Sequence, residues 1–138
     1  MAIEVNKIIS DLRLHEGFRG RPYLCTAGKT TIGIGRNLDA NPLTEAEAKY
    51  LLFNDIERVL RELDQQIPWW QDLHAGAQRS LVNMVFQLGI GGVLKFKKML
   101  KALSKGDYEA AATHALDSQW AKHDTPVRAK EVAGWMLG

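Results

Sequence analysis

A chain of 138 residues is one domain's worth, long enough to bury a core without metals or disulfides. Hydrophobic residues at 46% and charged residues at 25% exclude wholesale disorder, and a net charge of +2 is too small to argue for nucleic acid. The single cysteine, Cys25, excludes an internal disulfide framework and a cysteine-built metal cage, and no apolar run approaches the roughly 20 residues of a membrane span.

The first ten residues carry Glu4 and Lys7 among the apolar ones, which is not the pattern of a signal-peptide core. Synthesis in a cytoplasm, without stable membrane association, is the expectation. Val5, Ile8, Ile9 and Leu12 then form a helical stripe that ends at His15-Glu16, with Gly17 where a helix C-terminus favours a left-handed residue. From Phe18 to Arg36 glycines recur among the strand-prone Tyr23, Thr26, Thr30, Thr31, Ile32 and Ile34. Ala27-Gly28-Lys29 reads as a turn between two short strands. A sheet this small must lean on helices.

Residues 37–43 read as a loop punctuated by Asn41-Pro42. Thr44-Glu45-Ala46-Glu47 is a capping box, and the helix it opens runs to about Gln66, where Pro68 stops it. The stretch from His74 to Leu88 is apolar nearly all round and predicts a central buried helix ended by Gly89, with Phe86 in its packing. A shorter helix is expected from Val93 to about Ser104. Asp107 caps another, from Tyr108 to Trp120, and Thr125-Pro126 opens a last one reaching Leu137. There is no internal repeat.

The fold class is therefore α+β and mostly helical, in a single domain over 1–138. A sheet-bearing lobe at about 16–43, an inter-lobe helix at about 44–66 and a helical lobe at about 68–138 divide it. The helix at 3–15 is expected to pack on the helical lobe, and a cleft between lobes is the expected ligand site.

Motifs for nucleotides and metals are weak. Gly33-Ile34-Gly35 contains GxG without the rest of a dinucleotide fingerprint, and the histidines at 15, 74, 114 and 123 lack metal-ligand spacing, which leaves them as surface or capping residues. The informative stretch is His15-Glu16-Gly17 followed by the glycine-rich hairpin. A carboxyl at a helix C-terminus faces the unfavourable end of the helix dipole. Glu16 there is either an ordinary charged terminus or an acid held for a purpose; partial drying raises a carboxyl's pKa and suits it to donate a proton. Cys25 and Thr31 fall on adjacent strands if the hairpin turns at Gly28, close enough to converge on a water. The alternative for both is ordinary packing.

Leu14-His15-Glu16-Gly17, Tyr23-Leu24-Cys25-Thr26 and the run from Thr30 to Gly35 resemble the catalytic opening of the phage-type lysozymes, glycoside hydrolase family 24. Residues 79–89, with Asn83-Met84-Val85-Phe86-Gln87, resemble the family's central helix, and Thr44 to Ile56 the start of its inter-lobe helix. Trp120, Thr125-Pro126 and Arg128-Ala129-Lys130 resemble its C-terminal signature.

The resemblance implies a two-lobed lysozyme-like fold and a peptidoglycan muramidase of endolysin type. Glu16 matches the general acid, Thr31 the threonine that holds the attacking water, and Cys25 a position where many members have Asp. Arg128 matches the arginine that pairs with the catalytic glutamate; Gly35, Asn37, Phe86, Gln87 and His114 match residues lining the saccharide cleft. A thiol near its reference pKa of roughly 8.5 is mostly protonated at pH 7 and a poor base, so slow alkylation near neutral pH is expected of Cys25. Arg36 stands where histidine is common, and the short 37–43 segment implies a trimmed N-terminal lobe.

On this reading the chain hydrolyses the β-1,4 bond between N-acetylmuramic acid and N-acetylglucosamine with inversion, needing no metal or organic cofactor. The partner is the glycan strand, with no nucleic acid; the enzyme is a monomer that reaches the wall after release through the inner membrane by a separate pore protein. A lytic transglycosylase using Glu16 as acid then base, or a non-catalytic wall-binding module, are the alternatives. Lys95, Lys97, Lys98, Lys101 and Lys105 would suit a DNA-binding protein but read as a solvated helix face.

Overall fold

A computed structural model describes residues 2–138. The chain divides into two compact units, Met1–Lys49 and Tyr50–Gly138. The fold is α+β with a small antiparallel sheet, as expected from the pattern.

The first unit opens with helix α1, Val5–Glu16. Strands β1 (Arg19–Leu24), β2 (Thr30–Gly33) and β3 (Arg36–Asn37) follow and form one antiparallel sheet in that order. β1 pairs Tyr23 with Thr31 and Arg19 with Gly33, so the register slips between Arg19 and Tyr23. Pro22 lies inside that slip, where its missing N–H costs the ladder nothing. The β1–β2 turn closes through Cys25 N–H to the Lys29 carbonyl (3.0 Å) and Gly28 N–H to the Cys25 carbonyl (2.8 Å).

Between β2 and β3 the chain reverses at Gly33-Ile34-Gly35. Gly33 has φ +69° and Gly35 φ +73°, a region that side chains resist, so both positions demand glycine. β3 carries no signature in the sequence pattern. Two residues leave no periodicity, and only the pairing of Thr31 with Asn37 and Ile32 with Arg36 defines it.

Helix α2, Glu45–Gln66, starts in the first unit and ends in the second. The capping box forms as read: Thr44 N–H donates to Glu47 Oε1 (2.9 Å) and Glu47 N–H donates to Thr44 Oγ1 (3.1 Å). A short 3-10 turn, Pro68–Asp72, follows.

The second unit holds the core. Helix α3, Ala75–Leu94, buries Ala77, Ser80, Leu81, Met84, Val85 and Val93. Around it lie α4 (Lys97–Ser104), α5 (Tyr108–Leu116) and α6 (Pro126–Met136), with buried Met99, Leu103, Ala111, Ala115, Val132 and Met136. Ser80 is fully buried, and its hydroxyl donates to the Val132 carbonyl at 2.7 Å, tying α3 to α6. His74 caps α3: its Nδ1 accepts from Ala77 N–H (3.2 Å), which leaves the proton on Nε2 to donate to the Met136 carbonyl (2.8 Å).

Three boundaries differ from the periodicity. Gly89 (φ +77°, ψ 159°) interrupts α3 where the sequence ends the helix, but a further turn runs on to Leu94, so buried Val93 closes α3 rather than opening α4. α4 begins only at Lys97, because Phe96 (ψ 60°) breaks the helix between them. α5 ends at Leu116, and the chain then makes a π-helical turn, Trp120–Asp124, that turns the Trp120 indole inward. Phe86 is no core residue: it keeps 45% of its surface exposed while its neighbours Met84 and Val85 fill the core.

Candidate functional site

In the first unit, Glu16 is the last residue of α1 and exposed. Its carboxylate lies against the backbone of Gly35: a methyl group at Gly35 would stand 2.8 Å from Oε2 and 3.0 Å from Cδ. The helix therefore presents the acid to the β2–β3 turn, and the lack of a side chain at Gly35 is what admits it.

Thr31, on β2, is buried. Its hydroxyl donates to the Lys29 carbonyl at 2.9 Å. Cys25, half-buried, sits just beyond β1 at the other end of the same turn. Its thiol is drawn below the ordinary cysteine value, first by the backbone N–H of Lys29, then by that of Ala27. Thr31 has a smaller effect in the same direction, in keeping with its proton already being given to Lys29. This corrects the expectation of an unperturbed thiol. That expectation looked for charged side chains near Cys25, and the lowering comes instead from main-chain dipoles that only the folded turn aims at the sulfur.

Asn37, on β3, turns its amide oxygen toward the loop, where it accepts from Asp39 N–H (3.0 Å) and Ala40 N–H (3.1 Å). Beside it Arg36 makes an ion pair that the sequence did not disclose. Its Nη1 donates to Glu47 Oε2 at 2.6 Å and its Nη2 to Glu47 Oε1 at 3.0 Å. The guanidinium holds the Glu47 carboxyl down to about 2, helped by the hydrogen bonds from Thr44. The capping box had marked Glu47 as a helix-start residue; nothing in its spacing pointed to Arg36, eleven positions away.

In the second unit, Asn83, Gln87, Trp120, Thr125 and Arg128 form one polar cluster. Trp120 Nε1–H donates to Gln87 Oε1 (3.0 Å), and Gln87 Nε2–H donates to Thr125 Oγ1 (3.1 Å). Arg128 Nε–H donates to Asn83 Oδ1 (2.9 Å). Two bonds thus hold the Gln87 amide, and its orientation is fixed. Phe86 projects outward from the same helix. His114, half-buried on α5, lines a cavity of about 780 Å³ whose wall includes Phe96, Trp120, Lys97 and Lys98. Phe96 and Trp120 meet there edge to face, ring centres 5.9 Å apart.

The sequence-marked residues thus fall into two sets. Glu16, Cys25, Thr31, Gly35 and Asn37 share the α1–sheet unit; Phe86, Gln87, His114 and Arg128 share the helical unit. In the sequence Asn83 shows only as part of a helix motif; its role as the acceptor that orients Arg128 is not legible there, since 45 residues separate the two.

A small antiparallel sheet with an acid-bearing helix, joined by a long helix to an all-helical unit, is the arrangement of a lysozyme-like protein. The model of the phage lysozyme family matches residues 13–135, and the chain belongs to that family. It is 34% identical over 137 residues to the pre-baseplate central spike protein Gp5 of Enterobacteria phage T4; the match takes in 79% of this chain but 24% of the spike protein. The chain thus spans about a quarter of that relative's length. An endolysin of Acyrthosiphon pisum secondary endosymbiont phage 1 is 29% identical, over 80% of this chain and 75% of the endolysin. A probable T4-type lysozyme of Dictyostelium discoideum is 27% identical, over 93% of this chain and 92% of its own.

Proposed function

We propose that the chain is a peptidoglycan muramidase that hydrolyses the β-1,4 bond between N-acetylmuramic acid and N-acetylglucosamine. One observation carries the reading: in a chain of the phage lysozyme family, α1 presents an exposed carboxyl, Glu16, against the glycine turn of the sheet. Glu16 protonates the glycosidic oxygen. Thr31 and Cys25 hold the attacking water on the opposite face of the sugar, which gives inversion at the anomeric carbon. Gly35, Asn37, Phe86, Gln87 and His114 bind the saccharide, and Arg128 is the supporting basic residue. The chemistry uses no metal or organic cofactor.

The backbone N–H groups of the β1–β2 turn that lower the Cys25 pKa support a hydrogen-bonding role for its sulfur in holding the water. The names endolysin and SAR-endolysin among the relatives support host-cell lysis as the biological role. The spike-protein relative, of which the match takes in 24%, supports a second setting, in which a domain of this kind is one part of a larger phage protein.

The test is digestion of purified peptidoglycan by the chain and by its Glu16→Gln variant, with mass spectrometry of the products. The expected products carry reducing ends, and Glu16→Gln should be slower by at least about two decades, the usual worth of general acid catalysis. Anhydro-sugar products would replace hydrolysis by transglycosylation. A folded Glu16→Gln protein releasing products at the wild-type rate would overturn the assignment of the acid.

A further inference from the structure

Glu16 has a long side chain at the exposed end of a helix, and among the described residues of the first unit no hydrogen bond or ion pair holds it. An acid that must meet a glycosidic oxygen needs its carboxyl held in direction, because small misplacements of a reacting group cost large factors in rate. Within the first unit that carboxyl lies against Gly35, whose missing side chain admits it. The fixing of Gly35 is therefore the question, and the residue after it supplies an answer.

Arg36 spends every nitrogen of its guanidinium. Nε donates to the Asn41 carbonyl at 2.8 Å, Nη2 to the Pro42 carbonyl at 2.8 Å, and Nη1 and Nη2 grip the Glu47 carboxylate. Glu47 in turn accepts from Thr44 N–H. One side chain thus ties β3 to the 38–44 loop and to the first turn of α2. The ladder of β2 and β3, Ile32 opposite Arg36, ties it to the other end of the glycine turn. Gly33-Ile34-Gly35 is held between these anchors, with two left-handed glycines and no side-chain packing of its own at either one.

We infer that Arg36 is a positioning residue for Glu16: its clamp onto Asn41, Pro42 and Glu47 fixes the Gly35 backbone as the wall that sets the direction of the acid. The inference rests on the reading of Glu16 as the general acid. The pair is partly exposed, with 34% and 39% of its side-chain surfaces open, so solvent screens its contribution to stability, and its four bonds also fix the position of the turn beside Gly35. Arg36 touches no reacting atom in this scheme. It acts through the turn.

The experiment is steady-state kinetics of the full chain on soluble peptidoglycan-strand oligosaccharides, with melting temperatures measured on the same samples. Arg36→Gln is expected to lower kcat by about tenfold to a hundredfold with KM changed less than about twofold, at a temperature well below its melting point. Glu47→Gln keeps the bonds from Arg36 to Asn41 and Pro42 and should lose less. Arg36→Lys, which keeps the charge but not the fork, should recover part of the Arg36→Gln loss. Gly35→Ala, which drives a methyl into the carboxylate, should lose kcat whatever Arg36 does.

Glu16→Gln is run alongside. If it is inactive while Arg36→Gln and Glu47→Gln keep wild-type kcat, the positioning role is overturned and the acid assignment stands. If Glu16→Gln keeps full activity, both fall. Should Arg36→Gln fail to fold, Glu47→Gln and Arg36→Lys decide alone: unchanged kcat in both, whatever their melting temperatures, overturns the inference.

Discussion

Replacing Gly76 by alanine tests how rigidly α3 and α6 are fastened together. In a helix this change ordinarily stabilises, by up to about 1 kcal/mol. Here the added methyl would stand 2.2 Å from the Trp135 carbonyl oxygen, with the His74 ring carbon Cε1 at 3.0 Å. Carbon and carbonyl oxygen normally meet at about 3.3–3.6 Å, so the two helices must part by roughly an ångström. They are pinned on both sides of the contact. Ser80 holds the Val132 carbonyl and His74 holds the Met136 carbonyl.

Parting them strains or breaks those bonds, each worth about 1 kcal/mol net, or compresses the core at a cost of about 1–3 kcal/mol. Set against the propensity gain, the net loss is about 1–2 kcal/mol, or a fall in melting temperature of about 3–8 °C for a chain of this size. Gly134, on α6, is the control, because a methyl there meets nothing within 4 Å. Gly134→Ala should raise stability by about 0.5–1 kcal/mol. Thermal unfolding followed by circular dichroism reads both. A Gly76→Ala protein as stable as the wild type, or more so, would refute the reasoning, since the helices would then have room that the geometry denies them.

Cys25 should react with iodoacetamide at pH 7 faster than free cysteine does, because its pKa is lowered by backbone N–H groups of the β1–β2 turn; urea-unfolded chain should lose the advantage. A rate equal to that of the unfolded chain would count against it. For activity, Cys25→Asp should keep most of the lytic rate, Cys25→Ala should lose most of it, and Cys25→Ser should lie between; a fully active Cys25→Ala protein would make the position structural. The Arg36–Glu47 pair should contribute to acid stability with a definite sign. The folded carboxyl is depressed to about 2, so its contribution is complete above the ordinary carboxylate range and is lost as pH falls from there through about 2. Melting temperatures of wild type and Glu47→Gln should therefore differ at pH 6 and converge near pH 2; a gap that stays constant with pH would remove the linkage.

Much of this protein is written locally. The capping box at Thr44–Glu47, the stop at Pro68, the cap at Asp107 and the Thr125-Pro126 start each depend on bonds within a turn of the chain, so each was legible from residue types alone. The strand pair around Gly28 follows from strand-prone residues on either side of a turn, and α3 from a run that is apolar nearly all round. The candidate residues were found by motif, and the chain's membership of the phage lysozyme family agrees with the resemblance those motifs carry.

Only the tertiary structure could decide what depends on distant partners. Arg36 meets Glu47 across a loop, Asn83 meets Arg128 across 45 residues, and the Gln87 amide is oriented by Trp120 and Thr125 from another part of the chain. The two residues of β3 exist only through their pairing. The Cys25 thiol is lowered by main-chain dipoles that point at it only once the turn is formed, and dipole direction is not a property of residue identity. Phe86 looked like core because hydrophobicity does not record which face of an apolar helix the rest of the chain covers. The α3–α6 contact at Gly76 is of the same kind: the residue type permits close approach, but only the packing of α6 onto that spot turns the permission into a requirement.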